Sequence, residues 1–429
     1  MSFFLRKYAG RIERIIWYAW CALLPVQTRW VLWSADWYFI EWRSAFLYAS
    51  DFLYGGVVLL WALRTWRRRT SLWRPSDTIL GAVLIWALMG LIWSDSVGTA
   101  LHVWLRLIQG VSVYIMARTT IGTFVSGART AIALGIGVSV QAFIAIAQFL
   151  VQHDIGLRML GETLLAPGMF GVASFFVDAV PVLRAYGTFP HANVLAAWML
   201  LALCLGMGAT RFSRSWALGI LAAAWTWAYA LSFSRTAWFA GAVIGLVMII
   251  RNQVRALPRA FVWGVGVGVV SIFLLFPHYF LTRARIDAGE EAVRLRALYV
   301  RESVQEASEH PFSFSTIAGV GVGQYTTWLA GAVPFLPRQY YQPAHSVPLL
   351  VFTELGVIGS LLIVWWLVRV FQELRHVALR RDYVFWGVCA SILILGLFDH
   401  FFWTIHQGRM AFWLLLGAFS TMRTHWYDA

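Results

Sequence analysis

Arg235 stands in Leu231-Ser-Phe-Ser-Arg-Thr-Ala-Trp238, between two long apolar runs and with no acidic residue nearby in sequence. A guanidinium keeps its proton and presents a planar fork of donors, so its natural partner in such surroundings is a phosphate or a carboxylate. Ser232, Ser234 and Thr236 add hydrogen-bonding groups to the same turn. The plainer alternative is a short outer hairpin whose charge reaches water. A second arginine opens Arg184-Ala-Tyr-Gly-Thr-Phe-Pro-His191-Ala-Asn193, just before an apolar stretch. A helix N-terminus beside an arginine suits an anion, because free N–H groups and the helix dipole add to the side-chain charge. An ordinary loop with Asn193 near the N-cap accounts for the same residues, and both readings stand.

Two further patches carry chemistry. Arg338-Gln-Tyr-Tyr341-Gln-Pro-Ala-His345-Ser precedes another apolar run, with Glu354 downstream. At the mouth of a helix His345 is placed to accept a proton near neutral pH, although a lone histidine is more often structural. Gly319-Val-Gly-Val-Gly323 lacks the preceding strand and the lysine of a nucleotide-binding loop. It reads better as a tight loop that lets backbone approach a neighbour closely.

The elements that must position these residues follow from composition. The chain has 429 residues, 60% of them hydrophobic and 13% charged, with a mean hydropathy of +0.68. Single soluble cores stop growing near roughly 250–300 residues, so lipid must cover most of this surface. The 25 tryptophans fit interfacial aromatic belts. The basic start, Met1 to Arg14, is followed by no small-residue cleavage site, which reads as a retained first span. Apolar stretches predict an all-α, polytopic integral membrane protein of about twelve spans in one domain over 1–429. The spans are placed near 14–30, 45–63, 77–94, 99–117, 130–150, 192–210, 215–232, 236–250, 260–277, 347–368, 383–400 and 408–424.

Charge orients them. Six basic clusters, Arg6–Arg14, Arg64–Arg74, Arg118–Arg129, Arg211 with Arg214, Arg251–Arg259 and Arg369–Arg381, fall on one side when the spans alternate. That side is cytoplasmic by the positive-inside rule, as are both termini. With Arg423 these clusters hold 21 of the 34 lysines and arginines, so the net charge of +14 is mostly a topology signal and not a nucleic-acid footprint. The other 13 lie on the opposite side; 9 of these, Arg158, Arg184, Arg235, Arg283, Arg285, Arg294, Arg296, Arg301 and Arg338, sit in two long outer segments, 151–191 and 278–346, or in the Phe233–Thr236 turn. Ordinary solvated charge suffices for Arg283, Arg285 and Arg296. Within the second segment Asp287 to Glu309 reads as an amphipathic helix with Val293, Ala297, Val300, Val304 and Ala307 on its apolar face. Arg294 and Arg301 fall opposite, and Glu290 is one turn from Arg294. A lid and a packed structural helix fit equally well. Cys21, Cys204 and Cys389 look like small buried hydrophobes, with no metal spacing or disulfide framework.

Taken together, Arg184-x-x-Gly-x-Phe-x-His-x-Asn193, Ser-x-Ser234-Arg235-Thr-Ala, the glycine loop, His345-Ser-x-x-Leu and Glu354-Leu-Gly-x-Ile-Gly359 resemble the O-antigen ligases and their polymerase relatives. The resemblance runs over roughly 130–410, and Phe398-Asp399-His-Phe-Phe-Trp-Thr404 is similar to the family's last outer loop. It implies a GT-C-like fold in the inner membrane of a Gram-negative bacterium, with the active site periplasmic. The implied reaction transfers a glycan from undecaprenyl diphosphate to a lipid A core acceptor. Arg184 and Arg235 would clamp the diphosphate and His345 would take the acceptor's proton. His191, Asn193, Ser234, Arg338, Tyr341 and Asp399 would bind substrate or support the site.

No cofactor is expected and, with no Asp-x-Asp pair present, no metal. Attack opposite the leaving group implies inversion at the anomeric carbon. A polymerase or a protein O-oligosaccharyltransferase would use the same residues with another acceptor. A lipid-linked glycan transporter or flippase would call for inverted repeats and broken helices at the midplane.

Overall fold

The computed structural model describes residues 3–36, 39–68, 73–285, 291–379 and 382–420. The chain is mostly helical. Each of the twelve apolar stretches coincides with a helix, but helix length and composition support fewer membrane crossings than twelve. Among the described residues Pro75–Ile92, Val97–Thr120, Gly127–Val151 and Val347–Arg375 are long and apolar enough to cross a membrane. Arg259–Leu275 and Pro277–Ala284, bent by 88° at their junction, make a fifth if they form one span. Ala192–Gly206, Trp216–Leu231, Arg235–Ile250 and Tyr383–Phe398 are apolar but shorter.

Two hairpins depart from the all-α expectation. Arg29–Ser34 pairs antiparallel with Ser44–Tyr48, and Ser174–Val177 with Val180–Leu183. The first replaces the end of the expected span 14–30, whose helix is Phe3–Leu23, and delays the next helix to Ala49–Arg68. Short apolar runs cannot be assigned to strand or helix by periodicity alone, and Trp30-Val-Leu-Trp33 is such a run.

Charge is paired inside the bundle. At one end Arg118 pairs with Asp77 at 2.7 Å, Arg64 with Glu13 at 3.0 Å and Arg74 with Glu373 at 3.5 Å. Three arginines expected simply to mark cytoplasmic loops are therefore also internal partners. The opposite end gathers the first hairpin, the segments 152–191 and 276–346, the Ser232–Ser234 turn and the Asp399–Ile405 turn.

The glycine loop does bring backbone against backbone. The long helix Val347–Leu379 breaks at Gly356, where φ is 68°. A Cβ on Gly319, where φ is 83°, would lie 2.4 Å from Glu354 O and 2.5 Å from Gly356 N. Val320 N and Gly321 N donate to the carbonyls of Thr353 and Glu354, both at 3.0 Å. Residues without side chains are needed on both sides of so close a crossing.

The loop 184–191 is buried rather than draped over the surface, so its backbone must be satisfied from within. Gln148 does most of this: its Oε1 accepts from Gly187 N at 2.8 Å and its Nε2 donates to Gly187 O at 2.8 Å. Two turns earlier on the same helix Gln141 Oε1 accepts from Thr188 N at 2.6 Å. Leaving a buried backbone group unpaired costs about 1–3 kcal/mol. Gln148→Leu is therefore expected to lower the melting temperature in detergent and to expose the 184–191 loop to protease; unchanged melting and cleavage would show that the loop is held by other means.

Candidate functional site

The turn Ser232-Phe-Ser234 organises the site. Phe233 adopts φ 48°, a left-handed conformation unfavourable for a bulky residue. Its fully buried ring compensates by packing on Phe175 at 4.5 Å, Phe280 at 5.1 Å, and Phe149 and Trp238 at 5.7 Å each. Held this way, the turn aims two carbonyls at two arginines. Ser232 O accepts from Arg184 Nε at 2.6 Å and Phe233 O from Arg283 Nε at 3.2 Å. Arg235, half-buried at the start of the next helix, donates to Arg285 O at 3.3 Å. Ser234 is buried and shapes the turn without a side-chain cap bond.

From Arg184 a chain of hydrogen bonds leads to the histidines. Arg184 Nη2 donates to Asn193 Oδ1 at 2.6 Å, and Asn193 Nδ2 donates to Asp399 Oδ2 at 2.8 Å. The other carboxylate oxygen accepts from His400 N at 2.8 Å. His400 Nδ1 is held by Thr404 Oγ1 at 2.6 Å, and its ring meets His345 edge-on at 5.0 Å. His191 is the actual N-cap of Ala192–Gly206, its Nδ1 accepting from Asn193 N at 3.1 Å, which frees the Asn193 amide for its bridging role. Among the described residues, His345 Nδ1 is sealed from solvent with no hydrogen-bond partner.

The amphipathic helix is present as Glu291–Glu309; its expected start at Asp287 and the Glu290–Arg294 pair lie outside the described residues. Arg294 and Arg301 are exposed, as expected, but the buried face is not the apolar stripe. Val300 and Val304 are about half exposed, at 48% and 54%, whereas Tyr299 and Ser303 are buried. Tyr299 stacks on His345 at 6.2 Å and 7°, and its hydroxyl donates to Tyr340 O. Arg296, from the same helix, acts electrostatically on Arg184, His191, His345, Asp399 and His400. It was expected to be an ordinary solvated charge, and the spacing Arg296, Tyr299, Ser303 is the helical signal that marks the inward face.

Not every expected residue converges. Arg338 is exposed on a one-turn helix, and the Tyr341 hydroxyl is used on Val333 O at 2.9 Å. Neither supports the cluster built around Arg184, Asn193, Asp399 and His345.

The electrostatics favour an anion. Burial, reinforced by Arg283 and Arg296, pushes Arg184 down to about 9, still protonated at neutral pH but relieved by an incoming negative charge. Burial alone would raise the Asp399 carboxyl, yet His345, His400, Arg296 and His191 outweigh it and hold it at about 2. Burial also pushes His345 down to about 3, with His400, Arg296 and His191 adding to that effect and Asp399 opposing it. The resting site is thus an aspartate beside neutral imidazoles. His345, Asp399 and His400 place donor atoms within 4.8 Å of one another, a spacing that could hold a metal ion. Both Asp399 oxygens already accept hydrogen bonds, and Arg184 and Arg296 oppose a cation, so the trio fits acid–base work better than ligation.

No known protein family's sequence profile matches the chain, and no curated protein is significantly similar to it.

The histidines set a pH dependence. His191 and His345 are held near 3 and His400 below its ordinary value, all by burial first, whereas unfolded histidines titrate near 6.5. Below that pH the unfolded chain takes up protons that the folded chain refuses, so this stability is fully present above about 6.5 and is lost as the pH falls toward 3. The melting temperature should drop between about pH 7 and pH 5; a flat profile would mean that the imidazoles carry their protons inside the fold.

Proposed function

We propose that the protein is a glycosyltransferase of the O-antigen ligase type. It moves an O-antigen glycan from undecaprenyl diphosphate onto the lipid A core, in the inner membrane with both termini cytoplasmic and the site periplasmic. A GT-C-like arrangement of about twelve spans is part of the same reading. The observation that carries it is the Arg184–Asn193–Asp399 relay with a neutral His345 packed beside its His400 end, Arg235, Arg283 and Arg296 nearby, and, among the described residues, no carboxylate in direct contact with Arg184.

The chemistry follows from that arrangement. As the anomeric bond breaks, negative charge grows on the departing diphosphate, and fixed guanidinium donors stabilise that charge most at the transition state. Arg184 is already aimed by two acceptors and loses little freedom on binding. His345 accepts the proton of the attacking hydroxyl, a role worth about 10²–10⁴ in rate. The diphosphate's charge favours the imidazolium as it forms, and Asp399 stabilises it from the other side. Attack opposite the leaving group inverts the anomeric centre. A polymerase or a protein O-oligosaccharyltransferase would share this machinery and differ in acceptor. The buried charges here are Asp51, His406 and Arg409 in the first turns of their helices and Arg106 and Glu354 further into theirs, and the transporter reading would still call for inverted repeats meeting at the midplane.

The purified chain, given undecaprenyl-diphosphate glycan and rough lipopolysaccharide, should place a glycan ladder on the lipid A core. Longer chains still on the donor lipid would instead identify a polymerase. His345→Ala should abolish transfer in a protein that still folds, and Arg184→Lys and Arg235→Lys should each lose most activity, since a point charge cannot replace the planar fork. Lysine variants at wild-type rate would sink the clamp. Exhaustive chelation should leave the rate unchanged; activity lost to a chelator and restored by a divalent ion would make His345, Asp399 and His400 a metal centre.

A further inference from the structure

A cavity of about 70 Å³ with charged and aromatic side chains in its walls lies beside the relay. Pro190 and Pro343, from the loops that carry His191 and His345, line it. Trp42 and Thr404 in its wall both touch His400: the indole meets the imidazole edge-on at 5.1 Å, and the hydroxyl holds Nδ1 at 2.6 Å. The cavity therefore abuts the His400 end of the relay, while Arg184 stands at the other end, behind Asn193 and Asp399.

The charged groups around this cavity are matched, with one exception. Arg29 makes a two-pronged pair with Glu41, one contact at 2.7 Å. Arg106 pairs with Asp51 at 2.8 Å. Glu354 accepts from Trp403 Nε1 at 2.8 Å and from the backbone N–H groups of Gly323 and Tyr325. Arg409 is 5% exposed and lines the cavity, and among the described residues no acceptor takes a hydrogen bond from its guanidinium; its Nε is buried without a partner. Asp51 and Glu354 attract it only from a distance, and Arg106 repels it. A buried guanidinium without acceptors is unfavourable, and its planar edge matches an oxyanion.

We infer that this cavity is an acceptor subsite in which Arg409 holds an anionic group, a phosphate or carboxylate, of the acceptor glycan. The inference rests on the glycan-transfer reading for the word acceptor, because an inverting displacement brings the nucleophile from the side opposite the leaving diphosphate. Here that is the His400 side, where the cavity lies. The aromatic walls, Trp42, Trp403 and Tyr48, suit sugar rings beside the anion.

The test separates the two ideas. The full chain carrying Arg184→Met and Arg235→Met, purified in detergent, is titrated with inorganic phosphate and its melting followed. Phosphate should still stabilise this variant, and adding Arg409→Met should remove the effect. No stabilisation of the double variant, or equal stabilisation of the triple, would mean that the cavity holds only water, whatever the chain catalyses. Arg409→Met alone should melt at or above the wild-type temperature without phosphate, since it deletes an unpartnered charge; a lower temperature would make Arg409 a structural residue and overturn the assignment. In turnover Arg409→Met should raise the acceptor KM about tenfold or more with the donor KM unchanged, and Arg409→Lys should recover part of the loss. An equal rise in both KM values would place the anion on the donor and overturn the acceptor role.

Discussion

A guanidinium sealed from water has to be given acceptors by the fold, and the site end of this molecule is arranged around that requirement at Arg184. Its two hydrogen bonds, to Ser232 O and Asn193 Oδ1, join the turn after one helix, the first turn of another and, through Asn193, the Asp399 turn after a third. Neither acceptor is reachable unless the 184–191 loop runs through the interior. That is why Gln141 and Gln148 supply its backbone partners, and why Phe233 is held in a left-handed conformation by four aromatic rings.

The contrast with the bundle's paired arginines identifies the site. Arg118, Arg64 and Arg74 at one end and Arg106 at the site's own end each face a carboxylate, so their charge is cancelled locally. Beside the Ser232–Ser234 turn Arg184 is bonded to a carbonyl and an amide oxygen, which satisfy its donors without cancelling its charge. Truncating one partner of a buried ion pair is costly, but such a pair is weak evidence of function. A buried arginine steered by neutral acceptors is stronger evidence, because at that position the fold forgoes compensation that it uses elsewhere.

Much of this was legible in the sequence where a residue's chemistry conflicted with its surroundings. Arg184, Asn193 and His345 announced themselves as polar groups at the ends of apolar runs, Asp399 came only with the family resemblance, and the four do gather at one end of the bundle. What stayed hidden depended on direction. The apolar stripe Val293, Ala297, Val300, Val304 of the amphipathic helix looked like its buried face, yet the helix turns Tyr299, Ser303 and Arg296 inward, because the site offers stacking and hydrogen-bonding partners that periodicity cannot weigh. Gln141 and Gln148 share a helix face seven residues apart, but their partner is the backbone of a remote loop. Nothing in the sequence singled out Arg409, and only packing shows that, among the described residues, its charge meets no acceptor. The first hairpin was read as helix because a short apolar run has no period of its own.

Uncompensated charge alone would not make a catalyst. On the proposed reading a diphosphate enters as an anion and leaves with more charge on its terminal oxygen, so a site that merely attracted anions would hold the ground state and the transition state alike and gain no rate. The relay supplies the difference. Asp399 and His345 share one electrostatic environment with Arg184 and Arg296, so a proton gained by the imidazole and negative charge gained by the leaving group each lower the energy of the other. Both changes occur only as the bond breaks. A base kept neutral by burial at rest becomes a better proton acceptor as that charge arrives, which ties deprotonation of the acceptor to departure of the lipid carrier.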